Sequence, residues 1–567
     1  MKHFKIKLPI ISALFTLVII LLSNETDAKT TSFKKRDLAP LSKIPGSFEV
    51  VGDSGVAAMH IVLTAPTKIV IIDKVENNPL KQKDGRAAIS VEYDIQTNKK
   101  RVLNLNTNTF CSAGAFLGNG TLVHTGGAEE IAKSKFDEGF ESLRIFESCD
   151  NDSCDWYENP KGLTSKRWYP TMTTLSDGRV MIIGGSKKPI SKSTKDDHNP
   201  TVEFFPSDSA KPEPFPFLEE TLPFNLYPAV HVLPGPADQK FLFVFSNTDS
   251  IVWDWGTKSI IKRLPRLPGP PRLYPLSGAS VMLPLRPEEN YAPQILMCGG
   301  VAKQDANEPA DDSCGRINLS NLETANWEVE DFGGIRRNMP DVVILADGKT
   351  MFLNGAGKGY AGYNINKGKT QVADDPVLTP VLYDHRAPKG KRFTRLTDSK
   401  IPRLYHSVAT LIPDGRVFVA GSNPNSEVRT NNTKYVTDYR VEMFTPPYLQ
   451  LGFKRPTITS VANNNILNKG AIGVNYNTAV PVTVSIDDPN PVFSAALVHY
   501  GFITHSVHMS QRYVGCSVQN VTNLSNGLYS MNVIMPPNGN IIVPGRNYLY
   551  INNNDVPGIT AIEVMLS

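Results

Sequence analysis

At 567 residues the chain is too long for one ordinary hydrophobic core and long enough for a large domain plus a smaller one. Apolar residues at 41% and charged residues at 20% are those of a soluble globular protein. A net charge of +4, without a long Lys/Arg cluster, gives no reason to propose a nucleic-acid partner.

The N-terminus reads as a leader. Lys2, Lys5 and Lys7 precede the apolar run Leu8 to Leu22, and a polar stretch leads to Ala28. That order predicts a secretory signal over residues 1–28, cleaved after Ala28, and a secreted, extracellular protein with no membrane association after cleavage. The rival is an uncleaved anchor, for which the run is short. Acceptor sequons at Asn119, Asn151, Asn318, Asn431, Asn520 and Asn523 suit an exported chain. So do the cysteines: Cys149 with Cys154, and Cys298 with Cys314, are spaced as two disulfides. Cys111 and Cys516 remain, either paired with each other or with Cys111 bonded elsewhere. No Cys-x-x-Cys pair suggests zinc.

Beyond the leader, short apolar runs end at Asp-Gly, Asn-Gly or Gly-Gly, the punctuation of β-hairpins. Aligning the hairpins gives seven units. The first spans Gly55 to Asp73, and the second runs from Cys111 through Asn119-Gly120 to Gly127. The third is Arg167-Trp168-Tyr169-Pro170-Thr171 through Asp177-Gly178 to Gly184-Gly185. The fourth and fifth open on Leu226-Tyr227-Pro228 and Leu273-Tyr274-Pro275. The sixth runs from Met339 through Asp347-Gly348, and the seventh from Arg403-Leu404-Tyr405-His406-Ser407 through Asp414-Gly415. The fold expected is all-β, a seven-bladed kelch-type β-propeller over residues 45–447. In each unit the strand before the turn would line the central channel. The Lys/Ser-rich stretch Ser186 to Asp197 reads as an exposed loop near the channel mouth. Residues 448–567 lose the repeat and alternate apolar with polar, as in Val480 to Ile486, with a further apolar run at Ile541 to Val543. They read as a small Ig-like β-sandwich.

What differs between copies carries the chemistry. Cys111 lies nine residues before Gly120, and Tyr169 nine before Gly178. Tyr405 lies ten before Gly415, with Pro413 taken as an extra turn residue, so all three are expected level with one another around the axis. The sixth copy has Met339 there. A thiol, two phenols and the adjacent His406 make poor core but suit a copper or iron ion. Each alone is more often structural: Tyr227 and Tyr274 are expected to bond across blades, and His60, His124, His231 and His385 to be hydrogen-bonded packing. Together they favour a site.

The fragments Thr109-Phe110-Cys111, Arg167-Trp168-Tyr169-Pro170-Thr171, Tyr405-His406-Ser407 and Thr504-His505-Ser506-Val507 resemble the copper radical oxidases, which include galactose oxidase and the glyoxal oxidases. The Arg-Trp-Tyr-Pro run and Gly359 to Tyr363 are closer to the glyoxal-oxidase branch. The resemblance implies a catalytic set of Tyr169, Cys111 and Tyr405. Tyr169 and Cys111 would be joined by a thioether into a radical-bearing copper ligand. It also implies His406 and His505 as imidazole ligands, and Tyr405 as a weak ligand and base. One copper ion and the Tyr–Cys radical would be the cofactors. His505 would then enter the channel on a hairpin from the second domain; in a regular strand His508 would face away.

The activity implied is oxidation of small aldehydes such as glyoxal and methylglyoxal, as hydrates, to carboxylic acids, with dioxygen reduced to hydrogen peroxide. The protein would be a monomer whose peroxide could feed extracellular peroxidases. Two alternatives stand beside it: a galactose-oxidase-like oxidase of primary alcohols or sugars, and a non-catalytic secreted propeller that binds glycans or proteins. Two departures bear on substrate range. Lys187 stands where galactose oxidase has a tryptophan stacked over the cross-link, leaving Trp168 or Phe110 as cover, and His508 stands where an amide is commoner.

Overall fold

The computed structural model describes residues 45–190, 192–364, 370–450, 452–465 and 470–567; the expected leader lies outside them. Runs of four to six apolar residues closed by glycine turns leave no room for long helices. Among the described residues the α-helix Phe217–Glu220 is a single turn, and no helix is long and apolar enough to cross a membrane.

Among the described residues, seven antiparallel arrays of four strands follow one another, one of them extended to six strands. Six start on the strand before a glycine turn or its counterpart: Ala113–Phe116, Thr171–Thr174, Ala229–Val232, Gly278–Met282, Asp341–Ile344 and Ser407–Leu411. The other starts on His60–Ala65. Ala113–Phe116 packs on Thr171–Thr174 and that on Ala229–Val232; Gly278–Met282 packs on Asp341–Ile344, that on Ser407–Leu411, and Ser407–Leu411 on His60–Ala65, as a propeller requires. Closure comes from an element without a sequence signature. The strand Ser47–Asp53 pairs antiparallel with Arg440–Thr445, so the two ends of the repeat region share one sheet.

The C-terminal domain is two stacked sheets. One orders Thr457–Val461, Ala479–Ser485, Leu528–Ile534 and Val518–Ser525; the other is built on Phe493–His499, Gly545–Asn553, Ile562–Leu566 and Arg512–Cys516. The run Ile541 to Val543 is not a strand. It forms a buried turn in which the carbonyls of Ile541 and the preceding Asn540 accept from Arg512, which also donates to the Val232 carbonyl of the propeller. Between His499 and Arg512 the chain leaves the sandwich as the hairpin Phe502–Thr504 and Val507–Met509. It adds to the edge of His60–Ala65, with His60 opposite Thr504. It also touches the first strands of the arrays around it, so it occupies the channel. Apolar residues of both domains fuse into common cores, Tyr500 and Tyr548 packing with Val408 and Ile412.

Both expected disulfides are present, Cys149–Cys154 and Cys298–Cys314. Cys111 and Cys516 are both free and buried, so the pairing of one with the other does not occur.

Candidate metal centre

Five arrays present a residue at the axis from the turn ahead of the first strand, and the backbone there is unusual. Cys111, Tyr169, Tyr227, Met339 and His406 have φ of 59°, 60°, 50°, 54° and 62°. Non-glycine residues rarely take this left-handed region, and do so where surrounding structure fixes them. Hydrogen bonds fix them here. The Tyr169 N–H donates to the Cys111 carbonyl, Tyr227 to Tyr169, and Met339 to Ser277.

This pattern corrects the register read from sequence. The turns of the third and seventh units have the same length: Leu175 and Gly178 bond Arg179 and Leu175 just as Ile412 and Gly415 bond Arg416 and Ile412. Pro413 is therefore not an extra residue. His406, not Tyr405, is level with Tyr169 and Cys111, and Tyr405 reaches the axis from one residue earlier.

The expected residues converge. The hydroxyls of Tyr169 and Tyr405 are 2.6 Å apart, and His406 Nε2 is 2.9 Å from His505 Nε2. Cys111 Sγ lies 3.4 Å from His505 Nε2. All five side chains are buried. His505 and Ser506 form the two-residue tip of the channel hairpin, with φ of 47° and 69°. His505 is thus aimed by a tight turn rather than by strand alternation. His508 does face away, bonding the carbonyls of Val342 and Tyr500.

The electrostatics suit a cation. His406 Nδ1 donates to the Asn423 carbonyl at 3.1 Å, leaving the Nε2 lone pair turned inward. Burial holds both imidazoles well below their ordinary pKa, hence neutral. Burial, then neighbouring acidic groups, pushes the Tyr169 and Tyr405 phenols well above theirs. Without positive charge the site is a cluster of neutral donors with lone pairs crowded together. The 2.9 Å between ring nitrogens matches two ligands about 2.0 Å from one ion at roughly a right angle. Two imidazoles, two phenols and a thiol fit copper.

The cover over Tyr169 is a residue sequence reasoning had read as structural. Tyr274 lies near-parallel to it, with centroids 4.0 Å apart and planes at 27°. Trp168 meets the same ring edge-on at 4.2 Å, and Phe110 packs on Trp168 rather than on Tyr169. Lys187 is exposed, its ammonium on the Asp196 carbonyl. The level position of the fifth array belongs to Ser277, which frees Tyr274, three residues earlier, to lie across its neighbour. The recurring Leu-Tyr-Pro was the available signal. Tyr363, from the Gly359 to Tyr363 segment, leans on Tyr405 and sets its hydroxyl 3.4 Å from His406 Nδ1. Of the other readings, Tyr227 donates to the Ser112 carbonyl, and His124 and His231 bond Ser112 and Ser280; His385 is buried, but neither ring nitrogen has a hydrogen-bond partner among the described residues.

Residues 59–448 match the family model described as glyoxal oxidase N-terminus, and residues 455–565 the galactose oxidase-like, Early set domain. An aldehyde oxidase GLOX of Vitis pseudoreticulata is 32% identical over 92% of this chain and 97% of its own. An aldehyde oxidase GLOX1 of Arabidopsis thaliana is 33% identical over 91% and 84%. A solved fungal alcohol oxidase of the AA5 family, in complex with copper, superposes with a TM-score of 0.68 at 18% identity, over 92% of this chain and 100% of that one, a likeness of fold.

Proposed function

Because the chain belongs to the glyoxal oxidase family, a branch of the copper radical oxidases, we propose that Tyr169, Tyr405, His406 and His505 hold its copper and that Cys111 bonds to the Tyr169 ring. The protein is a copper-dependent oxidase acting on an aldehyde and dioxygen. The observation carrying the site assignment is the burial at one point of two imidazoles, two phenols and a thiol drawn from four separate parts of the chain.

Copper, when bound, supplies the Lewis acidity that acidifies an oxygen ligand and holds one of the two oxidising equivalents consumed. The rest falls to the protein. Tyr405, its oxygen 2.6 Å from that of Tyr169, takes the proton from a hydroxyl of the aldehyde hydrate. The oxidised Tyr169 ring, its unpaired electron spread onto the Cys111 sulfur, takes the hydrogen atom from carbon. Two electrons and two protons leave the hydrate in all. The hydrate becomes a carboxylic acid, and dioxygen accepts both electrons and both protons as hydrogen peroxide. The Tyr274 and Trp168 rings exclude water from Tyr169 and enlarge the aromatic surface around it.

The same reading takes residues 45–447 as the propeller and 448–567 as the domain supplying His505. It takes the protein as an exported monomer whose peroxide serves extracellular peroxidases; two disulfides support an oxidising compartment. Small aldehydes are the preferred substrates, and parallel peroxide assays on methylglyoxal, glyoxal, galactose and benzyl alcohol separate this from an alcohol oxidase.

The deciding experiment is peptide mapping of the copper-treated, reduced and alkylated protein. The Cys111 and Tyr169 peptides are expected joined, short of two hydrogens. Two separate peptides, with Cys111 alkylated, would remove the cross-linked site.

A further inference from the structure

The strand Val518–Ser525 ends its sheet. It pairs on one side only, with Leu528–Ile534, and every residue from Gln519 to Ser525 is exposed. A strand edge of this kind offers unpaired N–H and C=O groups to other chains, and proteins ordinarily blunt it with charge or proline. Neither is here. Residues 513–545 contain no Asp, Glu, Lys or Arg, in a chain that is 20% charged, and no proline lies between Val518 and Ser530. The strand is also greasy for a surface: Val521 is 49% exposed, Leu524 48%, and Leu528 on the adjoining strand 36%. Such windows, of high β propensity and no charge, are where chains associate.

The same strand carries two sequons three residues apart, Asn520-Val521-Thr522 and Asn523-Leu524-Ser525. The central residue of each is one of the exposed apolar side chains. Register shifts leave Asn520, Val521 and Leu524 without cross-strand partners, bulging outward beside the groups they would cover.

We propose that Asn520 and Asn523 carry N-linked glycans that serve as the edge guard this strand lacks, shielding Val521, Leu524 and the open backbone from pairing with another chain. The modification is a group transfer without change of oxidation state. Each Asn amide nitrogen bonds C1 of the reducing-end sugar of a polyprenyl-diphosphate-linked oligosaccharide, and the C1–O bond to phosphate breaks. The lipid diphosphate leaves with the electron pair, and the amide proton passes to base. The proposal rests on the reading of export and is independent of the copper site.

The test uses the full chain, secreted from a glycosylating eukaryotic host and loaded with copper. Enzymatic glycan release in heavy-oxygen water marks each occupied Asn as a mass-tagged Asp. Both positions are expected tagged. A Thr522→Ala, Ser525→Ala double variant, which removes both sequons on the exposed surface, is expected to keep its oxidase activity yet form light-scattering aggregates several-fold faster on mild warming. Adding Val521→Lys and Leu524→Lys to that variant should restore the original rate, which a general solubility effect of glycans would not predict. Removing the sequon at Asn318 by Ser320→Ala, at an exposed serine far along the chain, should leave the rate unchanged. No tag at Asn520 and Asn523 would overturn the proposal while leaving export standing; retention of the chain inside the host cell would overturn export. Occupied sites whose loss leaves aggregation unchanged, or a bare edge that forms a discrete dimer, would overturn the guard role.

Discussion

At the scale of single residues, the centre depends on how Tyr169 is surrounded, and Tyr274 is the surrounding group that can be varied most cleanly. Its face covers Tyr169 at 4.0 Å, and its hydroxyl approaches those of Tyr169 and Tyr405. The two contributions separate by substitution. Tyr274→Phe keeps the stack and loses the hydroxyl; Tyr274→Leu loses both. A stacked aromatic pair contributes about 1 kcal/mol beyond buried area, or roughly fivefold in an equilibrium. Tyr274→Leu is therefore expected to shorten the life of the oxidised state and lower kcat by about fivefold or more, with Tyr274→Phe close to the parent. Decay of the radical absorbance after oxidation measures this; equal decay in parent and Leu variant would remove Tyr274 from the role. The recurring Leu-Tyr-Pro marked this tyrosine as a repeat residue, not as the cover of Tyr169. Its partner lies 105 positions away in the chain, and only the convergence of the third and fifth arrays at the axis joins them. Tyr405 and His406 were legible because their side-chain types are costly in a core, but counting residues to the turn could not reveal that the left-handed residue is His406.

At the scale of elements, two devices hold the axial residues in place. One is a buried arginine two residues ahead of Tyr169, Tyr274, Met339 and Tyr405: Arg167, Arg272, Arg337 and Arg403. Arg167 donates to the Gly184 carbonyl and pairs with Glu203, and Arg403 pairs with Glu442 at 2.8 Å, both ends buried. Removing one partner of such a pair strands the other, at a cost of roughly 3–5 kcal/mol. Arg403→Leu is expected to lose about that much in urea unfolding of the metal-free protein; a loss under about 1 kcal/mol would mean Glu442 finds other partners. The second device is glycine where strands approach the axis. Gly421 has φ +75°, and a Cβ there would sit 2.3 Å from the His406 carbonyl oxygen. Gly421→Ala must move the backbone that aims His406, and is expected to weaken copper binding by about tenfold or more, in the range of altered support around a ligand. Competitive copper titration reads it; parent-like affinity would show that the backbone yields elsewhere. These glycines were visible as turn punctuation, whereas Ser47–Asp53 was not: its mixed burial shows no alternation, and its meaning comes only from pairing with a strand nearly 400 residues on.

At the scale of the whole molecule, the order of hairpins made the architecture legible, because each is a local event. The entry of the C-terminal hairpin into the channel is not local, and only the likeness of Thr504 to Val507 to a known pattern anticipated it. That insertion buries titratable groups at the junction and so couples stability to pH. Burial holds His60, His231 and His385 down to about 3, and His499 and His508 to about 4. In the unfolded chain each titrates near 6.5. Between about pH 4 and 6.5 the unfolded state therefore binds more protons at these positions, and stability rises with pH across that window and is fully present above it. Asp341, pushed up to about 7 by burial, acts in the opposite sense, as does Asp73. Glu563 is raised by burial too, but His124 and His198 are lowered like the five above, so the histidines outnumber the raised carboxyls and fix the sign. The melting temperature of the metal-free protein should fall steadily from pH 7 to pH 4.5, and a flat or rising profile would contradict the neutral burial of these rings. His508→Gln sharpens the test. The ring nitrogens face the carbonyls of Val342 and Tyr500, and a neutral ring has one N–H to give; an amide nitrogen can donate in its place. This variant should fold and retain the centre while losing one titrating group, so its melting temperature should fall less on acidification. An unchanged slope would mean that His508 stays uncharged in the unfolded chain too, or is already charged in the native one.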